Sequence, residues 1–300
     1  MKFMRKLNYL SIACLSLFTG TLMFCKKPYE PKLTSSTTNI LVVEGHINAG
    51  GDSTYIALSR TILIDKSNAV KKETGATVTI ESNTNEVYAL KEETPGLYNA
   101  PPIALSTTRK YRLRIKTGGS NYVSDYVEVK SSPPIEVNWE VSGDGIQIDL
   151  NSTDPANSTK YYRWESFQTF EFTTPYNSRF IWDYTLLDVR LRTPDEMGFI
   201  CWTSINSPDI KLGSTAKQTT DVIEKEHIVY IPSTSERISR RYSVLVKQYA
   251  LTKEAYEFWE NMKKNTETLG SIFDAQPSEI AGNIHSETNP DEPVIGYISV

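Results

Sequence analysis

Leu22 stands three residues before Cys25, a spacing that suits one chemistry. In a bacterial lipobox, a Leu at that distance precedes a Cys whose thiol takes a diacylglyceryl group. The leader is cut just before the Cys, and the new amino terminus is acylated. Cys25 is therefore the expected lipid-attachment residue, because several acyl chains anchor a protein stably where one does not. Met23 and Phe24 depart from the small residues usual at those positions. The competing reading is an ordinary cysteine at the end of a cleaved signal. Cys14, preceded by Ala13, suits the chemistry less well, since only residues 7–13 would remain as apolar core.

The other reactive residue types form no local motif. Cys201 is the one cysteine left beyond Cys14 and Cys25, so no internal disulfide and no C-x-x-C pair is expected. In the apolar run "FICWTS" it reads as a small buried hydrophobe. His46, His227 and His285 make no H-x-x-x-H or H-E-x-x-H, and no G-x-S-x-G elbow occurs. Glu92-Glu93 and Asp291-Glu292 read as solvated turn residues. No catalytic residue, metal or cofactor is expected.

One polar constellation stands out in residues 271–293. It holds Asp274, Glu279, Asn283, His285, Glu287, Asp291 and Glu292. Either these groups gather around a cation or ligand, or they satisfy turns while Ile272, Phe273, Ile280 and Ile284 pack onto the second β domain. With 32 basic and 36 acidic residues and no basic, aromatic-interleaved stripe, nucleic acid is excluded as a partner.

The elements that must carry these residues begin with a leader. Lys2, Arg5 and Lys6 precede residues 7–24, which are apolar but interrupted by Asn8, Ser11, Ser16, Thr19, Gly20 and Thr21. That length is marginal for crossing ~30 Å of hydrocarbon, and the pattern reads as an export signal over residues 1–24. Residues 25–38 form a tether. "LVVEGHI", "TYIALSRT", "ATVTIES", "EVYALKE", "KYRLRIKT" and "NYVSDYVEVK" then alternate as short strands, with "GGS" as a tight hairpin turn. Pro133-Pro134 ends this first set.

"IEVNWEV" and "GIQIDL" open a second set, paired across "SGDG". In "KYYRWESFQTFEF" Tyr162, Trp164, Ser166, Gln168 and Phe170 share one side of a long strand, and Arg163, Glu165, Phe167 and Thr169 share the other. Residues 173–196 read as irregular and rich in aromatics. One helix, 253–269, is expected after a Thr252 cap, with Ala255, Tyr256, Trp259 and Met262 on its packing face. The expected fold is all-β: two tandem antiparallel sandwiches of immunoglobulin or fibronectin type III kind, residues 39–132 and 133–300, with one C-terminal helix. Phe180, Trp182, Tyr184 and Trp202 are the candidate partner or ligand contacts; the alternative places such rings in the second core.

Several stretches also resemble a known family: "LVVEGHINAG", "IALSRT", "YRLRIKT", "YVSDYVEV", "SSPPIEVNWE" and the long run from "RYSVLVKQYALTKEAYEFWENMKK" to "NPDEPVIGY". They resemble a Bacteroidota outer-membrane lipoprotein family known as domain of unknown function 4249. Genes of that family often sit beside SusC-like TonB-dependent receptors. The resemblance implies an outer-membrane, palmitate-bearing lipoprotein, tethered to the bilayer through acylated Cys25. It also implies work with a TonB-dependent receptor barrel, and with no assembled catalytic or metal motif a non-catalytic accessory role is expected. A surface glycan hydrolase and a purely structural envelope lipoprotein are the alternatives.

Overall fold

The computed structural model describes residues 39–62, 70–267 and 282–300. Cys25, the expected signal and tether, and Asp274, Glu279, Ile272, Phe273 and Ile280 lie outside the described residues. The chain is mostly β. Strand β1 (Leu41–His46) pairs antiparallel with β2 (Thr54–Arg60), and β3 (Lys71–Lys72) adds to the end of β2. Next come β4 (Thr77–Ser82), β5 (Val87–Thr94), β6 (Leu97–Ala100), β7 (Lys110–Thr117), β8 (Ser120–Ser124) and β9 (Val127–Glu128). Gly118 and Gly119, at φ 59° and 83°, supply the left-handed backbone that the two-residue β7–β8 turn requires.

Strand β5 serves two partners. Its first half pairs with β4 and its second half with β6, so the strands run as one continuous sheet. Alternate residues of these strands bury Leu41, Val43, Ile56, Leu58, Ile80, Tyr98, Leu113, Ile115 and Tyr122 in one hydrophobic cluster.

The second strand set comprises β10 (Ile135–Ser142), β11 (Gly145–Thr153), β12 (Tyr161–Thr173), β13 (Phe180–Asp183), β14 (Asp188–Leu191), β15 (Ile200–Asn206), β16 (Lys211–Ser214), β17 (Val222–Pro232) and β18 (Arg241–Leu251). One sheet runs β10-β11-β17. In the other, β12 pairs with β15, β16 and β18. Residues of both sheets contribute to a second cluster of Ile148, Leu150, Tyr162, Trp164, Ile223, Ile228, Val229 and Ile231. The alternation expected along β12 is present, with Tyr162, Trp164, Ser166, Gln168 and Phe170 all buried. Gln168 Oε1 accepts from Tyr242 and Arg237, while Ser166 Oγ has no hydrogen-bond partner among the described residues.

Helix α1 (Lys253–Glu267) follows directly. Thr252 caps it as expected, its hydroxyl accepting from the Ala255 N–H. The buried face differs from the expected one. Phe258 joins Ala255 as the buried pair, and Tyr256, Trp259 and Met262 are only half-buried. Phe258 reaches Tyr297 at 5.1 Å between ring centres, and Trp259 covers Arg163.

Arg163 ties these parts together. Its guanidinium lies 4.6 Å from the Tyr249 ring centre and 4.0 Å from that of Trp259, and its NH1 pairs with Glu165 at 2.9 Å. His46 of β1 meets Tyr249 edge-on at 4.8 Å. Burial, reinforced by the Arg163 charge, holds the His46 imidazole below its ordinary value.

The last segment is where the expected division fails. The sequence pattern places residues 282–300 in the second domain, with Ile284 packing there. Instead, β19 (Ile284–Ser286) pairs antiparallel with β8, and β20 (Val294–Ile295) pairs parallel with β1. Ile284, Ile298 and Val300 join the first cluster. Buried Asn283 fastens the segment, donating to Ile298 O at 2.9 Å and accepting from Ile298 N at 2.8 Å. Gly296, at φ 140°, lets the backbone approach β1 closely, since a Cβ there would lie 2.2 Å from Val43 O. The described residues from Asn39 to Val300 accordingly form one compact unit.

Truncating Ile298 to Ala is expected to destabilise the protein by about 2–5 kcal/mol, as for a fully buried aliphatic side chain. Ile295→Ala, at a 38 % exposed position, should cost far less. Urea unfolding of both variants checks this; equal small losses would remove the C-terminal segment from the first core.

Candidate interaction surface

The stretch read as irregular holds a two-stranded hairpin. Phe180 stands opposite Leu191 and Trp182 opposite Val189, with Asp183 opposite Asp188 at the turn. No glycine announces this turn. Asp183 Oδ1 builds it by accepting from Thr185 N at 2.8 Å and Leu186 N at 3.1 Å, and Leu187 takes a left-handed φ of 52°.

The two faces of the hairpin differ sharply. On one, Phe180, Leu191, Trp182 and Val189 are all exposed, and none belongs to either buried cluster. Tyr184 (84 % exposed), Leu186 and Leu187 extend this apolar surface round the tip. On the other face Arg190 forms a fork, donating from Nε to Asp183 Oδ2 and from both terminal nitrogens to the Glu196 carboxylate, each at 2.7 Å. Arg192 donates to Glu196 O at 2.7 Å and to Phe180 O at 3.2 Å. These bonds hold the base of the hairpin rigid and leave the apolar face bare. The Arg190 guanidinium, helped by the Thr193 N–H, holds the Glu196 carboxyl at about 2.

The structure thus brings Phe180 and Trp182 onto one face, with Tyr184 at the tip. Trp202 stands apart on β15, opposite Glu171, where it shares an exposed face with Ile200. Leu186, Leu187, Val189 and Leu191 were not among the candidates. The alternation of Val189 and Leu191, matching that of Phe180 and Trp182, was the available signal. Cys201 is half-buried rather than buried, its Sγ 3.4 Å from Gly198 O, on the less exposed side of β15, where no residue is fully buried.

The family described as domain of unknown function (DUF4249) matches residues 26–300. The chain belongs to that family. No curated protein matches it.

Several polar residues elsewhere in this DUF4249 chain pair with residues distant in sequence. His227 Nδ1 lies 2.6 Å from Asp149 Oδ1, and His285 Nε2 lies 3.0 Å from Asp125 Oδ1. Of the constellation in residues 271–293, Glu287 pairs with Arg114 at 2.6 Å and Glu292 accepts from Tyr122 at 2.7 Å. Its described part therefore docks the C-terminal segment onto the first β body. Two clefts flank the junction of the strand sets. One, of about 590 Å³, includes His46, Lys130, Lys247 and Gln248; the other, of about 860 Å³, includes Lys110, Lys160, Glu254 and Glu257.

The Glu196 carboxyl is depressed when folded, so its stabilising effect is complete above its ordinary value of 4.5 and fades as pH falls toward about 2. The Trp182–Val189 cross-strand NMR contact should hold from neutral pH to about 5 and weaken below 4.5. In Glu196→Gln it should already be weaker at neutral pH and lack that acid-dependent loss.

Proposed function

We propose that this protein is a Bacteroidota outer-membrane lipoprotein, anchored through Cys25, that acts as a non-catalytic accessory of a SusC-like TonB-dependent receptor. In this reading its strand sets are two sandwiches of immunoglobulin or fibronectin kind, displayed from a lipid tether. The single supporting observation is the bare hairpin face of Phe180, Trp182, Val189 and Leu191, backed by the Arg190–Glu196 fork. A soluble protein seldom leaves so many large side chains together in water unless they meet a partner. A rigid base makes docking cheaper, because little conformational freedom is lost when the face is covered. The Trp202–Ile200 face on β15 is a second exposed aromatic surface available to the same partner. The family membership is compatible with this reading, while the receptor as partner rests on analogy.

A mild-detergent pull-down from native membranes tests the partnership. The expected result is a barrel receptor recovered in stoichiometric amount; recovery of the protein alone would overturn the reading. Because Trp182 and Trp202 are 47 % and 55 % exposed, replacing both with Ala should leave folding intact. Recovery of the receptor should fall as expected for losing aromatic anchors worth ≥ ~2 kcal/mol each. For the anchor, mass spectrometry of the mature amino terminus should find acylated Cys25, and Cys25→Ser should release the protein from the membrane fraction.

A further inference from the structure

Strand β10 is an edge strand with unusual sides. It pairs only with β11, so one full row of its backbone N–H and C=O groups has no ladder partner among the described residues. Val137, Trp139 and Val141 stand opposite Leu150, Ile148 and Ile146. They therefore point to the side of the sheet that buries Leu150 and Ile148, yet they are 41 %, 71 % and 76 % exposed. The core face of this sheet runs out past its cover. Natural edge strands are blunted by Pro, Lys, bulges or brevity. β10 has eight residues, no Pro or Lys between its ends, and a register with β11 that is unbroken from Ile135 to Ser142.

The opposite face of β10 selects what can pair there. Glu136, Asn138 and Glu140 alternate along it. Glu140 is met by Lys225 at 2.8 Å, while Glu136 has no ion-pair partner among the described residues. A second copy pairing antiparallel about Trp139 would set each Glu140 diagonally across from Glu136 of its mate, within reach of like-charge repulsion. A strand with basic residues on that face meets the opposite sign.

We propose that the free edge of β10 is a strand-addition site for an extended segment of another polypeptide. That segment alternates apolar residues, set over Val137, Trp139 and Val141, with polar residues that include a basic one set opposite Glu136, the carboxylate without an ion-pair partner among the described residues. Backbone hydrogen bonds supply the affinity, and the two alternating faces supply the register. The site is separate from the hairpin, and the proposal holds whether or not the hairpin binds a receptor.

The test uses the full chain and three synthetic heptapeptides: alternating Val/Lys, alternating Val/Glu, and Val/Lys N-methylated on the hydrogen-bonding edge. Binding is read by isothermal titration and by tryptophan emission in wild type and in Trp139→Phe. The Val/Lys peptide should bind saturably and shift emission to the blue only when Trp139 is present. The other two peptides should fail. Trp139→Ala should weaken binding, and Glu136→Lys should weaken it about fivefold, the upper range for a cross-strand charge pair. Both residues are exposed, so thermal unfolding of both variants should match wild type. Equal binding of the Val/Glu or N-methylated peptide would overturn the proposal, as would a signal unaffected by Trp139→Ala. Self-association of the protein abolished by Trp139→Ala, without peptide binding, would assign the edge to a second copy instead.

Discussion

Arg163 is a largely covered cation where three parts of the chain meet. It sits on β12, lies between Tyr249 of β18 and Trp259 of α1, and pairs with Glu165. Burial alone pulls the guanidinium below its ordinary value, and Glu165 opposes that pull. An arginine keeps its charge even so, and an uncompensated buried charge is costly. The aromatic faces and the single carboxylate are thus obliged to stay in place. Tyr249 donates to Glu165 at 2.8 Å and receives His46 on its ring, which carries the constraint into β1. A few ångströms of displacement at any of these elements would leave the charge without its cover.

A second polar hub works beside it. Trp164 donates to Gln248 Oε1 at 2.7 Å, and Gln248 Nε2 donates in turn to Ser132, Pro133 and Ser152. The segment joining the two strand sets is thereby fastened to the core of the second. The surface elements contrast with this. An isolated two-stranded hairpin is marginal in water, and the one here persists through a polar fork on one face rather than burial of the other. Stability and exposure are thus assigned to opposite sides of the same ribbon.

Much of this was legible locally. Period-two alternation located most strands, the paired glycines marked the β7–β8 turn, and Thr252 marked the start of α1. Local signals ended where geometry depended on distant partners. The alternation in residues 282–300 identifies extended chain, but the choice between β1 and β17 as neighbour lies in a free edge that no short window contains. The hairpin escaped because its turn is shaped by an Asp side chain and a leucine in the left-handed region, not by Asn-Gly. The helix face was displaced by one residue pair because Phe258 is chosen by Tyr297, some forty positions on. Alternation puts Arg163 on the side of β12 opposite Tyr162 and Trp164, and its cover comes from a helix nearly a hundred residues away.

The return of the C-terminal segment sets an order on biogenesis. Leu41 lies beside Val294, so one of the first strands to be made is bordered by one of the last. Closing so long a loop costs little extra at equilibrium, but non-local pairing slows folding. Domains usually fold in the order in which they emerge. Here β1 and β8 receive their outer neighbours only from residues 284–295, so the amino-terminal β body has its full set of strands only once that distant segment is in place. Until that segment arrives, β1 and β8 each present an unpaired edge of the kind that invites wrong strand partners.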